Sequence, residues 1–93
     1  MLERAGSALK VTVPMLYGNA SAMLASGRAA LDVGITEIDL SAVADADSSA
    51  LAVIFAWLRD AQSRNVALRV SNPPAGLLSL ASLYGVDEFL PLA

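Results

Sequence analysis

Residues 35–58, ITEIDLSAVADADSSALAVIFAWL, decide how this chain folds. Ile35, Thr36, Ile38 and Leu40 place β-branched and apolar side chains in a short run, the composition of a buried strand. Ser41 to Asp47 has no apolar periodicity and several turn-prone polar residues, so the chain turns there. Asp47 or Ser48 is then a natural N-cap, because a short side-chain oxygen can accept an orphan N–H of the first helical turn. Beyond the cap the chain is helix-compatible to about Asn65.

Outward from this strand, turn and helix, the pattern repeats. Upstream, Ala8 to Val13 alternates as a strand, with Leu9, Val11 and Val13 on one side and Lys10 and Thr12 on the other. Pro14 ends it, and residues 1–7 read as a loose tail. Asn19 can cap a helix to about Asp32, with Met23, Leu24, Ala30 and Leu31 as a weak apolar stripe and Gly34 as its stop. Downstream, Asn65 closes the central helix, and Val66, Leu68 and Val70 alternate with Ala67 and Arg69 as another strand. Asn72-Pro73-Pro74 signals a helix start, Leu77, Leu80, Ala81 and Tyr84 share one face, and Gly85 is a left-handed stop. Phe89 to Leu92 either forms a short last strand or simply packs. Strands alternating with helices through short loops argue right-handed βαβ units, hence one α/β domain with a mostly parallel sheet.

Composition excludes several classes of function. At 93 residues the chain holds one domain with a modest core. Its 56% hydrophobic content is too high for disorder. The surplus reflects either apolar surface that meets a partner or an alanine- and leucine-rich composition. With a net charge of −3 and scattered basic residues, nucleic acid is not the expected partner. The absence of both Cys and His excludes Cys/His zinc sites and any histidine-activated nucleophile. MLERAGSALK carries an acid and no apolar core, so it does not read as a secretory signal, and the longest apolar run, Ala50 to Leu58, is far short of a spanning helix. A cytoplasmic protein is the expectation.

Asp39, Asp45 and Asp47 cluster about one turn, as magnesium-binding acids do. Capping and turn formation account for Asp45 and Asp47 more simply, and Asp39 at a strand end suits acceptance of loop N–H groups. No metal and no cofactor is expected. Ser48 and Ser49 lack a base, since Lys10 is the sole lysine and lies on the first strand. No catalytic residue is assigned and the chain is not expected to be an enzyme. On the central helix, Leu51, Ile54, Phe55, Leu58 and Ala61 form the core stripe at 100° per residue. A second strip, Ser49, Val53, Ala56 and Asp60, points elsewhere, with Trp57 on its flank. Either this small-residue strip is a docking surface anchored by Trp57, or Trp57 wraps sideways onto a neighbouring helix of the same domain.

The segment IDLSAVADADSSALAVI resembles the central signature of the STAS domain family: an Asp at a strand end, a short loop, then Asp-Ser-Ser opening a helix. NASAMLASGRAALDVG upstream, and AWLRDAQSRN, VALRVSNPP and LASLYGVDEFLP downstream, extend the likeness to the small stand-alone STAS proteins of bacterial phospholipid transporters, the MlaB type. The resemblance spans roughly residues 9–92. It implies a single STAS domain over 1–93, with four or five mostly parallel strands and helices mainly on one side of the sheet. STAS domains usually open with two strands, and here the first is expected to be short or missing. It further implies a non-enzymatic accessory protein that binds the ATPase subunit of an ABC-type phospholipid transporter maintaining outer-membrane lipid asymmetry. That protein would be cytoplasmic and held at the inner membrane only through the complex. Ser48, Ser49, Val53, Ala56, Trp57 and Asp60 are the expected contact residues. The alternative implied by the family is an anti-sigma-factor antagonist, regulated by a partner kinase that phosphorylates Ser49.

Overall fold

In the computed structural model, which describes residues 1–32 and 34–93, four strands form one sheet in the order β1-β2-β3-β4. These are β1 (Leu2–Ala5), β2 (Ala8–Val11), β3 (Glu37–Asp39) and β4 (Arg69–Ser71). β1 and β2 are antiparallel, whereas β2, β3 and β4 run parallel. Three helices connect and follow them: α1 (Ala20–Ala30), α2 (Ser48–Ser63) and α3 (Ala75–Leu83).

The strand register shows why the helices share a side. Leu9, Ile38 and Val70 lie opposite one another across the parallel strands, and all three are buried. The neighbouring rows on the other face are Ala8–Glu37–Arg69 and Lys10–Asp39–Ser71, with Glu3 continuing the second as far as β1. One face is therefore apolar and covered, the other polar and wet, the usual consequence of period-two alternation. Right-handed crossovers between successive parallel strands place α1 and α2 on the covered face.

The N-terminus corrects the expectation of a loose tail over residues 1–7. Leu2–Ala5 pairs with β2 through four registered positions, and Thr12 N–H reaches back to the Met1 carbonyl at 2.9 Å. Gly6-Ser7 makes the turn, with Gly6 at φ +62, the conformation a tight hairpin asks of glycine. Both opening strands are thus present. At the other end, Phe89 to Leu92 divides its role: Asp87–Phe89 is a 3₁₀ turn, and Leu92 makes a parallel bridge to Val70 on the outer edge of β4.

Two helix ends also differ from expectation. α1 stops at Ala30 rather than near Asp32, because Leu31 turns extended (φ −73, ψ 121) to bury its side chain. Gly34 therefore lies outside its cap, and its N–H bonds to the Asp32 carboxylate instead. α2 ends as read, with Asn65 in the left-handed conformation at φ 59. α3 ends at Tyr84 and left-handed Gly85. Leu77 and Ala81 are buried and Leu80 half-buried, whereas Tyr84 is exposed rather than part of that face.

Candidate functional site

The start of α2 is the most elaborately built corner of the molecule. Asp47 is the N-cap, and one carboxylate oxygen, Oδ1, accepts both the Ser49 N–H (2.9 Å) and the Ser49 hydroxyl. Its other oxygen, Oδ2, accepts the Tyr17 N–H at 2.9 Å. These bonds favour the ionised form, so the Asp47 carboxyl is held below its ordinary range, first by the Ser49 hydroxyl and then by the Tyr17 N–H. A backbone pairing underlies the contact: Met15 N–H bonds to the Asp45 carbonyl at 3.0 Å, and Asp47 N–H bonds to the Met15 carbonyl at 3.1 Å. The segment after β2 is thereby fastened to the segment before α2.

Asn19, read as a side-chain cap for α1, performs a different task. Its side-chain oxygen accepts Leu16 N–H at 3.0 Å and its Nδ2 donates to the Pro14 carbonyl at 2.7 Å. It folds the approach to α1, where Tyr17 sits 84% exposed. Tyr17 was not among the residues singled out from the sequence. Its signal is an aromatic in a polar Tyr-Gly-Asn loop, where burial is not expected.

The expected contact residues divide sharply. Ser48 is exposed on the first turn of α2. Ser49 is half-buried and its hydroxyl is committed to Asp47. Val53, Ala56 and Trp57 are interior, so the structure corrects the reading of their strip as an outward docking face. Ser49 and Val53 line a narrow crevice with Met15, Leu16 and Met23. Trp57 is 0% exposed and donates Nε1–H to the Leu24 carbonyl of α1 at 3.3 Å. The cause is Gly27, buried in the middle of α1, where even a Cβ would overlap the indole. Asp60 pairs with Arg28 across the two helices at 2.6 Å. The small-residue strip is therefore the α1–α2 packing surface. The face of α2 that does retain partly open apolar side chains is the other flank, Phe55 and Leu58.

The acids about the turn are likewise occupied. Asp39 accepts Ser41 N–H at 2.9 Å and the Asn72 side-chain amide at 3.1 Å, and its carboxyl is held low chiefly by the Ser41 N–H. Asp45 is exposed. Among the described residues, no three carboxylates are placed to share a metal ion, and no helix is long and apolar enough to cross a membrane.

A mostly parallel sheet with helices on one face and a capped, serine-bearing start to its second long helix defines a STAS-type domain. The chain belongs to the family described as Mlab, STAS domain, whose model matches residues 2–92. It is similar to the intermembrane phospholipid transport system binding protein MlaB of Haemophilus influenzae, at 37% identity over 60 residues. That match covers 64% of this chain and 57% of the relative's length, so the aligned part spans little more than half of the relative. Among solved structures, a candidate anti-sigma factor antagonist from Thermotoga maritima matches with a TM-score of 0.78 at 16% identity, covering 99% of this chain and 83% of that one. The unphosphorylated anti-sigma factor antagonist SpoIIAA matches with a TM-score of 0.66 at 15% identity, covering 99% and 84%. At such identities these two likenesses bear on the fold.

Proposed function

We propose that this chain is a non-enzymatic accessory protein that binds the ATPase subunit of an ABC-type phospholipid transporter and so serves outer-membrane lipid asymmetry. The observation that carries this reading is the family match over nearly the whole chain. The likeness to a phospholipid transport binding protein agrees with it. The contact surface is the N-terminal end of α2: exposed Ser48 with Tyr17 held beside the Asp47 cap. An exposed aromatic next to a small polar residue is of the residue type enriched among interface hot spots. Val53, Ala56 and Trp57 support that surface from beneath by seating α2 on α1. The protein then sits at the inner face of the inner membrane through its complex.

The switch reading has less to stand on. Phosphorylating Ser49 would require its hydroxyl to leave the Asp47 carboxylate and a second negative charge to enter beside the first. The exposed hydroxyl at this corner is that of Ser48.

Affinity purification of the chain from its native cells tests both readings. The expected result is recovery of a transporter ATPase, with Ser48→Glu and Tyr17→Ala each melting normally but weakening the complex by about 2 kcal/mol or more. Ser49→Ala should leave the complex intact. Recovery of a kinase and no ATPase would replace the transporter reading with the switch. Recovery of the ATPase at full yield with both surface variants would move the interface elsewhere.

A further inference from the structure

A second concave feature lies toward the other end of α2. A groove of about 870 Å³ runs between the C-terminal half of α2, the approach to β4 and the C-terminal segment. Its walls are apolar: Phe55 and Leu58 from α2, and Val86 and Phe89 from the tail. Phe89 is 63% exposed, an unusual position for a phenylalanine with no partner. The volume falls within the range of small-molecule sites, which are mainly apolar with a few polar groups that fix orientation.

Gln62 and Asn65 add neutral polar groups, and the charged groups share one sign. Arg59 and Arg69 line the groove and no carboxylate does, in a chain whose net charge is −3. Other arginines are engaged: Arg4 with Asp32, Arg28 with Asp60, and Arg64 with the Leu31 carbonyl. Arg59 and Arg69 make no ion pair among the described residues; Arg69 belongs to the polar row of the sheet but stands on the edge strand β4, where it borders the groove and its Nη1 reaches the Leu92 carbonyl at 3.4 Å. Glu37 lies opposite Arg69 in the sheet register, but its carboxylate accepts the Ser71 hydroxyl at 2.6 Å. Asp87 and Glu88 precede Phe89 without lining the groove. Apolar walls alone would take any hydrophobe, and the two guanidinium groups alone any anion. Together they select a molecule that carries both, since a guanidinium binds carboxylate or phosphate through paired hydrogen bonds.

We propose that this groove binds a single-chain amphiphile with an anionic head, its chain against Phe55, Leu58, Val86 and Phe89 and its head on Arg59 and Arg69 at the rim. The site is separate from the Tyr17–Ser48 corner and does not depend on the transporter reading.

The test is titration of the purified chain with dodecanoate below its micelle concentration, followed by amide NMR shifts and calorimetry. The expected result is saturable binding of one equivalent, with shifts concentrated on residues 55–69 and 86–91. Butanoate, which has the head alone, and dodecyltrimethylammonium, which has the chain with the opposite charge, should each bind about tenfold more weakly or worse. The double variant Arg59→Glu/Arg69→Gln should lose about tenfold in dodecanoate affinity or more at an unchanged melting temperature, since both side chains are exposed and glutamine opposite Glu37 adds no like charge. The milder Arg59→Gln and Arg69→Gln should each shift affinity the same way. Phe89→Asp should abolish binding. Equal affinity for the cationic amphiphile, shifts scattered over the whole surface, full affinity in the arginine variants, or no saturable binding would each overturn the proposal. Loss of dodecanoate binding in a variant that still recovers the ATPase would show the two sites to be independent.

Discussion

At the scale of single residues, Trp57 and Gly27 carry the lesson of this structure. A helical wheel drawn on α2 alone puts Val53 and Ala56 away from the stripe of Leu51, Ile54, Phe55, Leu58 and Ala61, with Trp57 between the two, about 40° from Ala61. The stripe faces the core beneath α2, where Leu51, Ile54 and Ala61 are buried but Phe55 and Leu58 only half-buried, and Val53, Ala56 and Trp57 are buried toward α1. Sequence periodicity reports that a second apolar strip exists, but not which neighbour covers it. Gly27 held the missing clue. A glycine inside a helix costs about 0.5–1 kcal/mol relative to alanine, so its presence in α1 marks a close approach. Two outcomes follow. Trp57→Ala should destabilise the domain by about 3–5 kcal/mol in denaturant melts, because it empties a fully buried indole site. Gly27→Ala, which stabilises an ordinary exposed helix, should here destabilise by about 1–3 kcal/mol through overpacking. The cost of Gly27→Ala should shrink in a Trp57→Leu background, a coupling that double-mutant analysis would measure. A melt in which Trp57→Ala behaves like wild type would remove Trp57 from the core.

At the scale of elements, the parallel strands and three helices were legible in kind and order because each carries its own period and punctuation, although β2 stops at Val11 rather than Val13 and β4 is Arg69–Ser71 rather than 66–70. β3 and α2 follow directly from residues 35–58, with Asp47 as the cap. β1 was not legible from periodicity. Leu2–Ala5 has one half-buried position and three exposed ones, so no alternation marks it. It is ordered by main-chain pairing to β2, and the signal available was the Gly6-Ser7 hairpin dipeptide between two short runs. Removing residues 1–5 should therefore leave a folded domain that is weaker by about 1–3 kcal/mol, the scale of a few lost cross-strand pairs. It should also bare the outer edge of β2, whose free N–H and C=O groups template self-association. Melting and size-exclusion chromatography of the truncated chain read both effects. An unchanged melting temperature and a monomer would mean that β1 contributes nothing to the fold. The candidate site was half legible for a related reason: Ser48 and the Asp47 cap are local features, whereas Tyr17 joins them through the Met15–Ala46 bridge and its own N–H bond to Asp47, contacts across some thirty residues.

At the scale of the whole molecule, three aspartates tie together segments that are distant in sequence, and their ionisation should contribute to how the fold responds to acid. Asp32 bonds Gly34 N–H and pairs with Arg4 of β1; Asp39 joins the loop after β3 to Asn72 after β4; Asp47 joins α2 to Tyr17. All three carboxyls are held below the ordinary carboxylate range: Asp32 chiefly by the Gly34 N–H, Asp39 by the Ser41 N–H, and Asp47 by the Ser49 hydroxyl. A carboxyl whose folded pKa is depressed binds its proton more readily in the unfolded chain. Its contribution to stability is complete above the unfolded value, near 3.9, and is lost as pH falls through the lowered folded value. Melting temperature should therefore hold from neutrality to about pH 5 and then decline toward pH 2, modestly for each group because these carboxylates are solvent-screened. The double variant Asp39→Asn/Asp47→Asn should melt lower than wild type at pH 7. It should also lose less on acidification, because two of the three groups that link proton binding to unfolding are gone. The two curves should converge at low pH. A wild-type curve that stays flat through this range, or a double variant with an undiminished acid slope, would mean that these bonds shape the loops without stabilising the fold.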